Sequence, residues 1–574
     1  MHRTETANVL VIGTGAAGWR AAIAATEAGA QARMLGKRPQ LDAHTVLASG
    51  GINAALGTRD PEDSPEQHFA DTWREGYFLG NPRMIEIMAR ESPAIVRELA
   101  AWGCDFARTP DGDLDQRYFG AHRWRRTCYA GDFTGRAIQR TVAGRGAELG
   151  IVVEENQYVS RLLVADGTCF GALAFDLHTG ERTVHLADAV VLATGGHTRL
   201  WRRSSSRRDE NYGDGLRLAL EAGCRLMDME LVQFHPTGMV HPEEAAGTLV
   251  TEAVRGEGGI LRNALGERYM ERYDPERLEL SSRDRVSLAN YTEIVEGRGG
   301  PHGGVFLDIS HRPKAYIAEK LPRMYRQFIE WQMLDISREP MEVAPTAHYS
   351  MGGIVVDPES HATDIPGLYA AGECVGGLHG ANRLGGNSLG EALIAGKRAG
   401  EAAAAFSLER EVFSRSRWAI NEALDELGEL TRPGEELGRP LQRRLRDVMW
   451  ERAGVVRTED GLRQGLDELA SIREAAASVD VRPGAEGWTD LAHAVDLRAG
   501  LVAAEATLRS AIERRETRGA QIRSDYPDLD PSLQVNFHVD ARMEPWAVAA
   551  PPVPADLREW AERPLEVGAD RLLE

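Results

Sequence analysis

The feature that most constrains the fold of this chain is a glycine motif close to its first residue. The segment VIGTGAAG places Gly13, Gly15 and Gly18 in a G-x-G-x-x-G pattern, with Ala16 and Ala17 between the last two glycines. The residue pattern predicts a buried strand, an alanine-rich helix and a second strand at 8–13, 16–28 and 30–35. In such a β-α-β unit the glycines let backbone amides approach a pyrophosphate at the helix N-terminus. The alternative is a glycine turn that only permits tight packing of helix on strand.

The length and charge of the chain limit the classes of protein to which it can belong. Its 574 residues are too many for one compact core, so we expect roughly two to four packed units. A hydrophobic fraction of 43% and a charged fraction of 27% are typical of a soluble globular protein. The formal net charge of -20 disfavours nucleic acid and anionic membrane surfaces as partners. An anionic substrate would therefore need a local positive pocket.

The start of the chain carries no targeting signal that we can recognise. The residues MHRTETANVLVIG lead directly into a short apolar strand, which is neither a secretory signal core nor a spanning helix. We find no uninterrupted apolar run of spanning length elsewhere in the sequence. We therefore expect a cytoplasmic protein, or one held at a membrane only through partner subunits.

The cysteines of this chain do not form a pattern that would bind a metal or make disulfides. They are odd in number, widely scattered and without a C-x-x-C pair: Cys104, Cys128, Cys169, Cys224 and Cys374. Such spacing supports neither a disulfide framework nor an iron–sulfur or zinc site. We expect reduced cysteines and no metal ligands among them.

Beyond the opening unit, helical and strand-rich stretches alternate along the chain. Residues 65–102 are predicted to be helical, and residues 152–192 to form short strands with Asp and Gly turns. The run ADAVVLATGG at 187–196 is typical of a core strand that meets a nucleotide. Residues 237–347 are charged and punctuated by glycine, which indicates an insertion covering the nucleotide-binding unit.

The last third of the chain has a different character. From Gly396 it is rich in Glu and Arg, which predicts a helical bundle whose helices break at Pro433, Pro440 and Pro483. The tail after Asp525 is rich in proline and is predicted to be irregular.

The position that usually binds ribose hydroxyls departs from the common dinucleotide pattern. At the end of the second predicted strand stand Gly36 and Lys37, where an acidic residue is common. Glu373, in the segment GLYAAGECVGG, follows a short apolar strand and could supply a carboxylate instead. By its spacing alone Glu373 could equally be a surface acid.

A histidine stands in the glycine-rich segment DAHTVLASGGINAALG, close in sequence to the dinucleotide unit. A lone histidine such as His44 is more often structural than functional, but this segment resembles one in succinate dehydrogenase and fumarate reductase flavoproteins. In that family the histidine of the segment bonds covalently to the 8α-methyl carbon of the flavin. The related L-aspartate oxidases lack this histidine.

The resemblance to this family continues through most of the chain in six ordered motifs. They are RTCYAGDFTGRAI near Cys128, LVQFHPTG near His235, LVTEAVRGEGG near Glu252, SSRDRVS near Arg283, PTAHYSMGG near His348 and GANRLGGNSLGEAL near Arg383. The match weakens after about Gly400. The stretch SLQVNFHVDARMEPW departs from the ending of membrane-complex subunits.

The resemblance implies FAD as cofactor, attached covalently through His44, and a set of residues that bind it. These are Gly13, Gly15, Ala16, Ala17, Gly18, Lys37, His44, Thr45, Ser49, Gly50, Gly51, Ala193, Thr194, Gly195, Asp214, Glu373, Arg383, Ser388 and Leu389.

The resemblance also assigns a dicarboxylate pocket and an acid/base group. Succinate and fumarate are dianions, so the pocket needs cations and hydrogen-bond donors, and the family pattern supplies them as His235, Thr251, His348 and Arg383. Read singly, these histidines could be satisfied core residues and the arginine a loop anchor.

Oxidation of a saturated carbon pair sends a hydride to flavin N5 from one carbon and a proton from its neighbour to an acid/base group. The family pattern gives that role to Arg283, although arginine is not expected to deprotonate in proteins. A relay with Glu252 and Arg255 would let a proton pass. By spacing alone, TEAVR could instead be a surface i, i+3 salt bridge and SRDR a solvated turn.

The fold class implied is α/β, a Rossmann-like FAD-binding domain with an inserted α+β capping domain and a C-terminal helical domain. We divide the chain into a first part of the FAD-binding domain at 1–236, the capping domain at 237–347 and a second FAD-binding part at 348–404. A helical domain at 405–520 and a tail at 521–574 complete it.

The implied function is the catalytic flavoprotein subunit of a succinate dehydrogenase or fumarate reductase. Its electrons would pass to an iron–sulfur protein partner and then to quinone, with membrane anchor subunits holding the complex on the cytoplasmic side of the membrane. The alternatives are a soluble enzyme like L-aspartate oxidase and a non-catalytic flavin-binding protein. The residues leave open the direction of turnover, the acceptor and the subunit composition.

Overall fold

The computed structural model describes residues 2–409, 415–484 and 487–563 of the chain. Within these ranges the strands are β1 (Arg3–Ile12), β2 (Ala32–Leu35), β3 (Ile52–Asn53), β4 (Gln116–Arg117), β5 (Thr127–Cys128), β6 (Val152–Glu154), β7 (Gln157–Ala165), β8 (Thr168–Asp176), β9 (Arg182–Leu192), β10 (Leu226–Met227), β11 (Val232–Met239), β12 (Ile260–Arg262), β13 (Val305–Asp308), β14 (Met341–Ser350), β15 (Gly353–Ile354), β16 (Leu368–Ala370), β17 (Val535–Val539) and β18 (Trp546–Ala549).

The helices of the same ranges are distributed between all parts of the chain. They are α1 (Ala16–Glu27), α2 (Pro65–Glu75), α3 (Pro82–Ala101), α4 (Thr134–Glu148), α5 (Asp214–Ala222), α6 (Ala253–Gly256), α7 (Met270–Tyr273), α8 (Arg283–Glu293), α9 (Lys314–Lys320), α10 (Pro322–Gln332), α11 (Asn387–Glu409), α12 (Arg417–Glu429), α13 (Gly438–Arg452), α14 (Glu459–Ala476), α15 (Thr489–Glu513) and α16 (Arg558–Glu562).

The central sheet confirms the predicted β-α-β opening and extends it. Its strand order is β6-β2-β1-β9-β8-β7, and β16 pairs in parallel with the end of β9. The strands β6, β2, β1 and β9 run parallel, and α1 packs against α11 over one face. Because these strands are parallel, their carboxyl ends lie at one edge of the sheet, where α/β proteins bind ligands.

The inserted region is built on a second, antiparallel sheet with the order β11-β14-β13-β12. It has its own apolar core, to which Val254, Leu261, Val286, Leu307 and Phe328 contribute. The strands β11 and β14 each run from the central domain into this region, so both proposed boundaries, at 236/237 and 347/348, fall inside a continuous strand. These two strands carry His235 and His348 into the cleft between the parts.

The C-terminal helices confirm the predicted helical region, with one correction. Helices α13, α14 and α15 pack against one another, and Pro433 and Pro483 precede α13 and α15. The break predicted at Pro440 is wrong, because Pro440 lies in the first turn of α13. The first-turn amides of a helix have no intrahelical acceptor, so a proline there removes no hydrogen bond.

The tail is more ordered than the sequence indicates. The predicted irregular structure is wrong for residues 535–549, because β17 and β18 form a sheet with β10 and β15 in the order β15-β10-β17-β18. The two strands lie in stretches of the tail that contain no proline. Their pairing partner, β10, is distant in sequence, so the local sequence does not reveal the pairing. Residues 564–574 of the proposed tail lie outside the described residues, as do residues 410–414 and 485–486 of the proposed helical domain.

All five cysteines are buried and unbridged. Burial raises the pKa of each thiol, to about 11 for Cys104, Cys224 and Cys374 and about 12 for Cys128 and Cys169. These thiols are therefore protonated and unreactive at neutral pH. Among the described residues, the helices are all too short or too polar to cross a bilayer.

Candidate active site

A cavity of 1480 Å³ opens where the carboxyl edge of the central sheet meets the inserted region and the helical domain. Ordinary small-molecule pockets measure roughly 300–1,000 Å³, so this cavity has room for a dinucleotide together with a small substrate. Every residue that the sequence assigns to substrate or catalysis lines it, with the exception of Arg255.

The glycine motif forms one wall of the cavity. A Cβ on Gly13, which has φ +118°, would lie 2.0 Å from the carbonyl oxygen of Ala193, and one on Gly18 would lie 2.0 Å from that of Gly13. Both glycines are therefore required for packing. A Cβ on Gly15 would meet only Thr45 Oγ1, at 3.2 Å, and would otherwise project into the cavity. Gly15 is thus the glycine that leaves backbone exposed to a ligand at the N-terminus of α1.

Lys37 belongs to a buried charge cluster at one end of the cavity. Its Nζ lies 2.7 Å from Asp496 and 3.2 Å from Asp214, and it also lies 4.5 Å from the centre of the Tyr158 ring. The two carboxylates outweigh burial and raise the pKa of Lys37. Asp214 Oδ1 is buried without a hydrogen-bond partner among the described residues. This free acceptor can bind a ribose hydroxyl at the position where Lys37 replaces the common acid.

The segment from His44 to Gly51 lines the middle of the cavity. His44 Nδ1 lies 2.8 Å from Glu210 Oε1, so the nitrogen Nε2 remains available. Burial alone would lower the pKa of His44, but the Glu210 carboxylate outweighs it and raises that pKa, while the pKa of Glu210 falls to about 2. Thr45 Oγ1 accepts a hydrogen bond from the Ala16 amide at 3.0 Å, and Ser49 Oγ accepts one from Arg323 at 2.6 Å.

The opposite wall comes from the ends of β9 and β16 and the start of α11. Thr194 Oγ1 is buried without a partner in the described part of the chain. Glu373 faces the cavity and accepts a hydrogen bond from the Ser350 amide at 3.1 Å, and burial raises its pKa, so the surface alternative for Glu373 is wrong. Ala193, Gly195, Ser388 and Leu389 complete this wall. The cavity thus offers a free amide edge and unpaired polar atoms that fit a dinucleotide.

Four residues predicted to hold the substrate converge at the other end of the cavity. The rings of His235 and His348 lie 5.2 Å apart, and Thr251 is buried beside them in the same lining. Burial and the nearby arginines depress the pKa of both histidines well below the ordinary value, so both are neutral donors. Ser205 Oγ lies 2.8 Å from His348 Nδ1 and orients that ring.

Arg383 is the buried cation of this end. Burial, and then the charge of Arg283, lower its pKa to about 10, which still leaves it charged at neutral pH. Its guanidinium carbon lies 4.2 Å from the centre of the Tyr349 ring, and its Nε has no hydrogen-bond partner among the described residues. A buried guanidinium with an unused donor favours an anionic ligand.

The three residues predicted to relay a proton form a buried chain. Glu252 Oε2 lies 2.9 Å from both Nε and Nη2 of Arg283 and 3.7 Å from Arg255 Nη2. Arg283 and Arg255 outweigh burial and lower the pKa of Glu252. The alternatives of a surface salt bridge and a solvated turn are wrong, because all three side chains are buried.

Gln233 also belongs to this site, although the sequence did not single it out. Gln233 Oε1 accepts a hydrogen bond from Arg283 Nη1 at 3.0 Å, while its Nε2 donates to Arg383 O at 2.9 Å and Asn382 Oδ1 at 2.7 Å. Gln233 therefore fixes the two arginines relative to each other. Gln233 could have been predicted from its position two residues before His235, because residues i and i+2 of a strand lie on the same face.

The mouth of the cavity is rich in arginine, which the sequence did not indicate. Arginines from the segment after β9 and from α13 line it: Arg199, Arg202, Arg203, Arg207, Arg208, Arg439, Arg443 and Arg446. Burial, together with Arg199, lowers the pKa of Arg446 to about 10. In a protein with a net charge of -20, this concentration of arginine is the local positive region that an anionic substrate requires.

Two family models match the chain. The FAD binding domain matches residues 8–389, and the C-terminal domain of fumarate reductase flavoproteins matches residues 442–545. The second match includes most of the stretch from Ser532 to Trp546. This stretch therefore lies largely within the C-terminal region that the family model covers.

Similar proteins extend over nearly the whole chain. One subunit of the fumarate reductase (CoM/CoB) of Methanothermobacter marburgensis is 41% identical, with 94% of this chain and 98% of that protein covered. The succinate dehydrogenase flavoprotein subunit of Rickettsia conorii is 37% identical, with 91% and 90% covered. The structure of Mycobacterium smegmatis Sdh1 in complex with UQ1 superimposes with a TM-score of 0.87 at 40% identity, covering 96% of this chain and 95% of that one.

Proposed function

Since the chain belongs to the family of succinate dehydrogenase and fumarate reductase flavoprotein subunits, we propose that it interconverts succinate and fumarate. The observation that carries the proposal is the pairing of Arg283 with Glu252 at the end of the cavity where Arg383, His235 and His348 converge. This end combines a cationic pocket for a dianion with a buried proton relay.

The pocket is suited to two carboxylates rather than one. Arg383 provides a buried charge with an unused Nε donor, and a planar guanidinium can bind a carboxylate through two parallel hydrogen bonds. Neutral His235 and His348, with Thr251, provide donors for the second carboxylate without adding charge. Together they bind a dicarboxylate and orient its central carbons.

Proton transfer is assigned to the chain Arg283–Glu252–Arg255. Arg283 lines the cavity, and its charge is balanced by a Glu252 carboxylate that both arginines keep ionised. A proton taken up by this relay moves between Arg283 and Glu252 across contacts of 2.9 Å, so no neutral guanidine has to persist. Gln233 holds Arg283 and the Arg383 backbone at a fixed separation during this transfer.

FAD, which the fold binds, supplies the two-electron chemistry of the reaction. We assign its pyrophosphate to the Gly15 turn, its ribose to Asp214 and its ring to the segment from His44 to Gly51. We further propose covalent attachment through His44, because Glu210 holds Nδ1 and leaves Nε2 of this cavity-lining residue available.

The five buried cysteines offer no iron–sulfur ligation, so a transfer of electrons to quinone through iron–sulfur centres would need a partner chain. We propose an iron–sulfur protein partner and membrane anchors that hold the chain on the cytoplasmic side of a membrane, with quinone as acceptor. Two observations support these partners: one relative is named a flavoprotein subunit, and the similar Sdh1 structure was solved in complex with UQ1. Co-purification of the native protein, with its metal content, tests it, and isolation as a single metal-free chain would reject it.

The activity is tested with succinate and an artificial dye acceptor, and with fumarate and a reduced dye for the reverse direction. Replacing Arg283 with Ala should lower turnover by about 10²–10⁴-fold while FAD stays bound. The matched control is Arg285→Ala, since that neighbouring side chain is 62% exposed and outside the relay. Turnover of aspartate with oxygen, in place of succinate, would favour the oxidase alternative, and function unchanged in Arg283→Ala would favour a non-catalytic protein.

Covalent attachment is tested separately by acid precipitation of the purified protein. Flavin should remain with the precipitate of the wild-type protein and pass into the supernatant for His44→Ser. If all the flavin of the wild-type protein passes into the supernatant, covalent attachment is rejected, while the proposed interconversion of succinate and fumarate still stands.

A further inference from the structure

Two histidines and a glutamate of the inserted region meet at the rim of the cavity, away from the pocket described above. His241 follows β11, His302 lies in the loop before β13, and Glu342 lies in β14. One donor atom from each residue lies within 4.8 Å of the other two. We propose that this cluster is a binding site for a divalent cation of the Zn²⁺ class.

The donor set is the first reason. Two imidazoles and one carboxylate are ligands that Zn²⁺ accepts, and a hard cation such as Mg²⁺ would instead favour oxygen donors. Three protein ligands leave a fourth position for water.

The carboxylate is already fixed in the orientation that a metal ion needs. The Glu342 side chain is only 5% exposed, and its Oε1 accepts hydrogen bonds from the amides of His302 at 2.9 Å and Gly304 at 3.0 Å. Its Oε2 lies 2.7 Å from His302 Nδ1. A cation bound between these two atoms would take the place of the proton that they share, at no loss of the hydrogen bonds to Oε1.

The second histidine carries an unsatisfied atom. His241 Nδ1 is buried and has no hydrogen-bond partner in the described residues, although buried polar atoms are rarely left unpaired. A metal bond would satisfy this nitrogen.

Binding requires one ring to turn. The two imidazoles are stacked, with centres 3.8 Å apart and planes 20° from parallel, so their lone pairs do not converge in this arrangement. Tetrahedral Zn²⁺ with bonds of about 2.0–2.1 Å needs donor atoms about 3.3 Å apart. The His302 side chain is 47% exposed and can rotate to reach that geometry. The bound ion would tie the loop before β13 to β11 and β14 at the cavity rim.

The test is titration of the purified flavoprotein, first freed of metal with a chelator, with Zn²⁺ against a chromophoric competitor chelator. Wild-type protein should bind one Zn²⁺ per chain. His241→Phe keeps a ring that can stack on His302 but has no ligand nitrogen, and Glu342→Gln keeps the acceptor for the loop amides. Each should weaken binding by about 10-fold or more.

The matched control is His311→Asn, because His311 is an exposed histidine of the same region outside the cluster. Its affinity for Zn²⁺ should equal that of the wild type. Affinity in the wild type should also fall as the pH is lowered, because the ligands must be deprotonated. Absence of stoichiometric binding, or equal affinity in either ligand variant, would overturn the proposal. Retained melting temperature and flavin spectrum establish that each variant is folded.

Discussion

At the scale of single residues, the site depends on charges that are buried in opposed pairs. His44 is held by Glu210, Arg283 by Glu252 and Lys37 by Asp214 and Asp496. Against the effect of burial, Glu210 raises the pKa of His44, the two arginines lower that of Glu252 and the two aspartates raise that of Lys37. The exception is Arg383, which is buried without a carboxylate at ion-pair distance among the described residues and is therefore suited to bind an anion.

Glu210 is expected to control the attachment of flavin to His44. Replacing Glu210 with Gln removes the carboxylate that raises the pKa of His44 and fixes its Nδ1, so the covalently bound fraction of flavin should fall. Acid precipitation measures this fraction. Asp209→Asn is the control, because Asp209 pairs with Arg38 and not with His44. An unchanged covalent fraction in Glu210→Gln would show that His44 needs no such partner.

A buried histidine behind the cavity makes stability depend on pH. Burial lowers the pKa of His197 to about 3, whereas an unfolded histidine titrates near 6.5. Between these values the unfolded state binds one more proton, so stability is present above about pH 6.5 and is lost as the pH falls. The free energy of unfolding, measured with denaturant, should rise with pH between about pH 4 and 6. His197→Gln should reduce the slope of this rise by about 1.4 kcal/mol per pH unit. An identical slope would contradict the assignment.

At the scale of elements, both the β-α-β unit and the strands of the tail depend on contacts with residues that are distant in sequence. Position 13 must be a glycine because the residue that follows β9, Ala193, brings its carbonyl oxygen against it. The strands β17 and β18 exist because β10 offers an edge to pair with. Arg514, at the end of α15, joins these parts through Asp228, Glu230 and Glu516.

The glycines of the motif should separate folding from cofactor binding. Gly15→Ala has an allowed φ of -75° and should leave the melting temperature of the FAD-free protein nearly unchanged while FAD is lost, because its methyl group would occupy the ligand side of the turn. Gly18→Ala places Cβ 2.0 Å from the Gly13 carbonyl oxygen and should destabilise the chain itself. Flavin content and thermal unfolding distinguish the two. Equal flavin content in Gly15→Ala and wild type would refute the assignment.

Loss of Arg514 should loosen the tail from the rest of the chain. Arg514→Gln leaves Glu230, 2.6 Å away in the present structure, as a buried carboxylate without its cation. We expect a loss of about 3–5 kcal/mol in the free energy of unfolding, measured with denaturant. The control is Arg515→Gln, since that neighbour is half exposed and 3.6 Å from its partner Glu459. Equal losses in the two variants would mean that burial of the network contributes nothing.

At the scale of the whole molecule, an acidic protein surrounds a cavity whose mouth is rich in arginine. The net charge of -20 would repel a dianion, whereas the arginines of the mouth attract it over distances of about a Debye length, ~8 Å at physiological ionic strength. The charge of the molecule and the charge of its site are thus opposite in sign.

Electrostatic attraction at the mouth should make kcat/KM for the dianion fall as ionic strength rises. Arg443→Ala should lower kcat/KM by about 2–5-fold at low salt and reduce its salt dependence, because this arginine lines the mouth outside the substrate pocket. Arg542→Ala is the control, since Arg542 is exposed on the tail. A salt dependence that is the same in the wild type and Arg443→Ala would exclude this role.

The sequence by itself determined the β-α-β opening, the helical C-terminal region and the family, and it predicted most residues that line the candidate site, because these depend on local periodicity and short motifs. It did not determine the strands of the tail, because these depend on the edge that β10 offers for pairing. Nor did it determine that the helix continues through Pro440, because this depends on the position of Pro440 in the first turn of α13. Nor did it reveal Glu210 beside His44, Gln233 between the arginines or the arginine mouth. Those arrangements join residues far apart in the chain, and only tertiary packing brings such side chains within hydrogen-bond distance and buries them from water.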